Sequence, residues 1–207
     1  VTSFLDAAAG PEDMAAFSAV QASGELSARS HFAPVIEPEE ASDPAKAVSK
    51  ITADRKQYDQ GALQVKPSVT VRNAKLFLDG VIAAPALTGA MLEPYRMNTG
   101  TPENPHWAPG ESRGPAVYFP PKPLAEILVR LGRAGIDPHM HADGDGGVRA
   151  GLDAVEAMRK ELGKADIRPA IAHDEIVSPD DFPRFEKLNT MPVLSFQWEK
   201  PAGDTIG

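Results

Sequence analysis

An α/β fold of the (β/α)8 TIM barrel type, incomplete and missing some of its staves, is what the sequence predicts. Six short strand-like runs alternate with helix-patterned segments, the order expected of parallel strands joined by helical crossovers. The 207 residues make one domain but fall short of the about 250 that a complete barrel takes. Two of the runs end in histidine, His141 and His173, one strand–helix unit apart. Parallel α/β folds keep their chemistry at that end of their strands. An open doubly wound sheet is the runner-up. No Gly-x-Gly-x-x-Gly fingerprint follows a strand, so no dinucleotide site is expected.

Residues 1–5 form a short, partly apolar first run. Gly10-Pro11-Glu12-Asp13 opens a helix over 11–23, with proline and acids in its first turn and Gly24 as its stop. A second strand is expected in 26–36, and Ser42 or Asp43 can cap a helix reaching about Gln57. Residues 69–78 make the third strand zone, where Thr70, Val71 and Phe77 favour extended backbone. The stretch 79–121 is long, irregular and rich in proline. Loops of that length inside a domain are usually functional, so it is expected over the carboxyl ends of the strands, packed through Tyr95, Trp107, Tyr118 and Phe119. Leu124, Ile127, Leu128 and Leu131 give 123–134 one apolar face, as Val148, Leu152, Val155 and Met158 do for 146–162. Strands are expected at 136–141, 168–173 and 191–197. Asp145 is expected to cap the helix after His141. Ser178 and Asp181 are expected to cap the helix after His173, Asp181 as part of a capping box.

The formal charge of −8 leaves no basic stripe to meet phosphates, so nucleic acid is not an expected partner. No run approaches the roughly 18 apolar residues of a membrane span, so no membrane partner is expected either. Residues 1–6 lack a charged n-region and an initiating Met and do not resemble a signal peptide. The chain has the look of an internal fragment of something longer. With no cysteine, any metal must be held by histidine and oxygen. The expected partner is a small-molecule substrate. Homodimerisation is left open, and the cytoplasm is the working expectation for compartment.

His141 and His173 are candidate metal ligands because they occupy equivalent places on successive units, and imidazole is the commonest ligand for zinc-like ions. His139 shares a strand face with His141 but lies one layer deeper, where a hydrogen-bonded core histidine is the expectation. Lys75 shares a face with Phe77 and Asp79. A lysine there either snorkels its amine to water or loses its proton in the pocket. In the second case it can take up carbon dioxide as a carbamate, an anionic oxygen ligand able to bridge two metal ions.

Several motifs, in order and nearly end to end, resemble the metal-dependent amidohydrolase superfamily, in the branch that includes N-substituted formamide deformylase. Gly24-Glu25-Leu26-Ser27-Ala28-Arg29 resembles that branch's Gly-Glu-Leu-Thr-x-Arg, and Lys75-Leu76-Phe77-Leu78-Asp79-Gly80-Val81 its lysine strand. Met91-Leu92-Glu93-Pro94-Tyr95 follows as its Leu-x-Glu-Pro-Tyr, and His141-Ala142-Asp143-Gly144-Asp145 as its His-Ala-x-Gly-Asp turn. Arg168 through His173, with Pro179-Asp180-Asp181 behind it, and then Ser195-Phe196-Gln197 resemble the next two strands.

The resemblance implies that the chain covers roughly strands 2 to 7 of the barrel. Lys75 then matches a carboxylated lysine, and His141 and His173 the two later histidine ligands, around one or two divalent ions with zinc the first expectation. It implies hydrolysis of non-peptide, amide-like C–N bonds by metal-activated water. The first-strand His-x-His is expected before Val1. The last-strand aspartate, which is the general base, is expected beyond Gly207, and Asp204 is too close to the preceding strand to replace it. The 207 residues alone are therefore expected to be inactive. A barrel that binds a small molecule without hydrolysing it is the alternative. Gly146-Gly147, Asp174-Glu175 and Gln197-Trp198 depart from the usual Arg-Ala, Ala-Gln and Gln-Pro. They bear on substrate identity more than on metal binding.

Overall fold

The computed structural model describes residues 2–163 and 165–195. Its strands are β1 (Ser3–Ala9), β2 (Arg29–Pro34), β3 (Ser68–Val71), β4 (Asn73–Phe77), β5 (Arg96–Asn98), β6 (Trp107–Pro109), β7 (Asp137–Ala142), β8 (Ala170–His173) and β9 (Met191–Leu194). The helices are α1 (Pro11–Ala22), α2 (Pro44–Tyr58), α3 (Pro121–Arg133), α4 (Asp145–Leu162) and α5 (Phe182–Leu188).

The third expected strand is broken at Arg72 into β3 and β4. The break divides its partners. β3 continues the parallel sheet β1-β2-β3, and β4 begins the parallel sheet β4-β7-β8-β9. A parallel bridge between Val35 and Lys75 joins the two sheets, and the Ile36 N–H donates to the Lys75 carbonyl at 2.8 Å. Six staves thus run parallel in chain order, with helical crossovers between most of them, as the alternation predicted. Among the described residues β1 and β9 do not pair, and the sheets do not close on themselves. The expected strand 191–197 is seen as Met191–Leu194. Phe196 and Gln197 lie outside the described residues, as do Trp198, Asp204 and Gly207.

The predicted helix faces are buried. Leu124, Ile127, Leu128 and Leu131 of α3, and Val148, Leu152, Val155 and Met158 of α4, pack on Leu76, Leu78, Met140 and Ile171 of the sheet. At about 25 cal/mol per Å² of apolar area removed from water, this layer is the main stabilising contact of the chain. A smaller cluster of Met14, Phe32, Val69 and Val71 sits under α1, with Phe17 edge-on to Phe32 at 5.4 Å between ring centres. Asp43 caps α2 as expected, accepting from the Lys46 N–H at 3.0 Å.

Two expected caps are corrected. Gly144, not Asp145, precedes α4, and the Asp145 carboxylate accepts instead from the Leu92 N–H at 2.8 Å. Ser178 makes no cap and Asp181 no capping box. The Asp181 carboxylate is held by Arg149 at 2.9 Å and Arg184 at 3.0 Å, because a charged donor binds a buried carboxylate more strongly than a backbone N–H does.

The stretch 79–121 is not wholly irregular, since β5 and β6 pair as an antiparallel hairpin within it. Its root crosses the end of β7, where the Ala90 carbonyl accepts from the Gly146 and Gly147 N–H groups at 2.9 and 3.2 Å. Phe119 is buried in the main core, as expected of the loop's aromatics. Trp107 and Tyr118 remain 48% and 37% exposed, so those two do not anchor it. No helix among the described residues is long and apolar enough to cross a membrane.

Candidate functional site

The site is built at the carboxyl ends of β4, β7 and β8. Register sets Lys75 beside His139 and Phe77 beside His141. Alternation along a strand puts all four side chains on the sheet face opposite the helices. β8 pairs its Ala172 with His141 and its His173 with Ala142. His173 and Asp174 both have positive φ, 86° and 51°, a sparsely populated backbone for residues with a Cβ. The chain leaves β8 through this strained pair. The His173 ring lies edge-on to the His141 ring, 4.6 Å between centres.

Each imidazole is oriented by a neighbour. Nε2 of His141 lies 2.8 Å from the Gly80 carbonyl. A carbonyl only accepts, so Nε2 carries the proton and Nδ1 keeps its lone pair. Nδ1 of His173 lies 2.8 Å from the Ser195 hydroxyl. Fixing one ring nitrogen this way is how proteins aim the other at a metal. Burial, aided by the charge of His141 and Lys75, depresses His173 to about 4. Burial and then Lys75 depress His139 to about 4. Burial lowers His141 too. Neutral imidazole is the ligand form.

Sequence reasoning missed two aspartates here. Asp79 is buried, and its carboxylate accepts from the backbone N–H groups of Ala90 (2.9 Å), Asp143 (3.0 Å) and Gly144 (3.0 Å). It also lies 3.6 Å from Nε2 of His141. Burial raises its pKa, and the three N–H groups pull the other way. Asp79 thereby ties the long loop to the turn after β7. The second is Asp143, which is fully buried. Neither of its side-chain oxygens has a hydrogen-bond partner, and Oδ1 lies 3.7 Å from Nε2 of His141. Burial first, then the charges of Glu175 and Asp79, push its carboxyl up to about 7. His141, Asp143 and His173 each offer a ligand atom within 4.8 Å of the others. An acid at the variable place of the His-Ala-x-Gly-Asp turn is the sequence signal that points to Asp143.

Lys75 lies on the same face of the sheet and is 3% exposed. Its ammonium sits 4.5 Å from the centre of the Phe77 ring, a cation–π contact. Burial lowers it to about 8, against the attraction of Asp143. It acts on the imidazoles through its field and makes no hydrogen bond to them. The structure therefore brings His141 and His173 into contact and leaves Lys75 beside them. The general-base aspartate expected beyond Gly207 falls outside the described residues, which end at Ser195. The donor set suits a borderline divalent cation, with two neutral imidazoles and an orphaned carboxylate that has no other use.

Asp174, buried beside the site, is pushed up to about 7 by burial, the Val193 backbone pulling the other way. Its folded pKa exceeds the unfolded value, so the protonated form belongs to the folded state and the advantage disappears as pH rises through 7. In the metal-free chain, Asp174→Asn is expected to raise the melting temperature most at pH 8, less at pH 5, and not below the unfolded value of 3.8. A destabilised variant at pH 8 would contradict this.

Residues 1–201 match the model of the family described as the Amidohydrolase family. None of the curated proteins compared matches the chain. Among solved structures, an uncharacterized metal-dependent hydrolase from Pyrococcus furiosus is similar at 20% identity and a TM-score of 0.59, over 92% of this chain and 33% of that one. A second, from Pyrococcus horikoshii OT3, is similar at 20% identity and a TM-score of 0.61, over 93% of this chain and 32% of that one. The chain thus spans about a third of the length of these structures, and the likeness is one of fold. Parallel staves in chain order, paired imidazoles at their carboxyl ends and a family match over nearly all residues converge: the chain belongs to the amidohydrolase family.

Proposed function

We propose that this chain forms the metal-holding part of a hydrolase acting on non-peptide, amide-like C–N bonds, in the branch that includes N-substituted formamide deformylase. It would supply roughly strands 2 to 7 of a (β/α)8 barrel, with the general-base aspartate following Gly207. One observation carries the reading. Two neutral imidazoles meet at 4.6 Å at the carboxyl ends of neighbouring parallel strands, each with its other face already oriented. His141 and His173 supply nitrogen ligands to a divalent cation, zinc being the first candidate and one or two ions the expected number. Lys75, N6-carboxylated, supplies oxygen. A cation so held lowers the pKa of water and polarises a carbonyl.

The chain's own residues prepare this. The Gly80 carbonyl fixes the His141 tautomer, and Ser195 holds His173. Burial brings Lys75 to about 8, so a fraction of its amine is free near neutrality. That form attacks carbon dioxide and sheds a proton to give the carbamate. Exposure to isotopically labelled bicarbonate is expected to yield a carbamate resonance in the native protein and none in Lys75→Met. The same spectrum from both would remove Lys75 from the ligand set.

The functional test is hydrolysis by the full-length polypeptide, metal-loaded, over formamides, acylated amines and cyclic amides. Release of amine that stops on chelation and returns with zinc supports the proposal. Small-molecule binding without turnover would favour a non-catalytic barrel. On this reading the 207 residues alone turn over nothing.

A further inference from the structure

We infer that Asp143 is a further protein ligand of the cation, adding a carboxylate oxygen to the site of His141 and His173. The inference rests on the metal reading above and adds to it a residue outside its ligand set.

Three aspartates surround the turn after β7, and their hydrogen bonds separate them. Asp79 is consumed by three backbone N–H groups. Asp145 is consumed by the Leu92 N–H. Asp143 gives its backbone N–H to Asp79, but both oxygens of its fully buried side chain lack partners. Asp79 already shapes the turn, so Asp143 is not needed for it. A buried carboxylate without a donor is costly, and proteins keep such groups paired or on metals. Its ligand atom falls within 4.8 Å of those of both imidazoles, close enough for the three to share one cation. Imidazole nitrogens joined by carboxylate oxygens are the donors of catalytic rather than thiolate structural metal sites.

The experiment uses cobalt(II) as probe. It is titrated into the intact chain, followed by calorimetry and by visible absorption, whose intensity reports coordination. The variants are Asp143→Asn and, as comparator, Asp174→Asn, which removes another buried acid, one outside the cluster. Circular dichroism of the metal-free proteins checks folding. The expected result is that Asp143→Asn weakens cobalt binding by about 100-fold, on the order of one ligand's share of a zinc-class site, and alters the visible spectrum. Asp174→Asn is expected to bind as the parent does. Equal binding by Asp143→Asn and the parent would overturn the inference and leave the metal reading standing. Equal weakening in both variants would also overturn it, since the effect would then be the general negative field. No binding by the parent would instead sink the metal reading itself.

Discussion

His141→Ala and His173→Ala are each expected to strip the divalent cation from the protein. The two rings face one another at 4.6 Å, and each keeps one nitrogen engaged with a neighbour, Gly80 or Ser195. Removing either leaves a single imidazole beside the oxygen donors, a set that holds a zinc-class ion more weakly. Shared among the ligands of a zinc-class site, the binding free energy gives each about 3 kcal/mol, or about 100-fold in affinity. Stability should move the other way or little. Both histidines are held neutral by burial, so their removal discards a group that resists protonation at mildly acidic pH. The sign follows from the depressed folded pKa: the unfolded chain binds the proton first, so the parent loses stability as pH falls from 6.5 towards 4. His173→Ala should lose less over that window. Metal content after dialysis, and melting curves at neutral and mildly acidic pH, measure the two effects. Parent-level metal in both variants would end the assignment.

How far the site was legible follows from what each residue depends on. His141 and His173 could be read because strand ends and unit spacing are local features, and the structure puts both where parallel pairing demands. The amphipathic faces of α3 and α4 were legible for the same reason. The break at Arg72 was not, because nothing in 69–78 marks where one neighbour strand gives way to another. The caps failed at Asp145 and Asp181, since propensity cannot foresee that Leu92 lies close enough to claim one carboxylate, or Arg149 and Arg184 the other. Asp79 and Asp143 were missed through the same blindness to long-range pairing. Asp79 pairs with a turn after the neighbouring strand; Asp143 matters because its side-chain oxygens have no hydrogen-bond partner.

Asp79 is the residue whose loss should cost the fold most per atom removed. Its carboxylate satisfies three buried N–H groups, of Ala90, Asp143 and Gly144. Asp79→Ala leaves all three without an acceptor. At about 1–3 kcal/mol for each orphaned buried group, the cost is roughly 3–9 kcal/mol, comparable with the whole stability of a marginal domain. Asp79→Asn should cost less, about 1–3 kcal/mol. Its amide oxygen can replace Oδ2, which accepts from Ala90 and Gly144, but its NH2 then confronts the Asp143 N–H donor to donor. Gly147 provides the independent check. A Cβ built there would lie 2.6 Å from Oδ2 of Asp79, so Gly147→Ala should cost about 1–3 kcal/mol through overpacking. That cost exists only while the carboxylate is present. In a double-mutant cycle by urea denaturation, Gly147→Ala should therefore be close to neutral in the Asp79→Ala background, where the space has been vacated. Additive costs for Asp79→Ala and Gly147→Ala would show that the glycine is required by something other than the aspartate it faces.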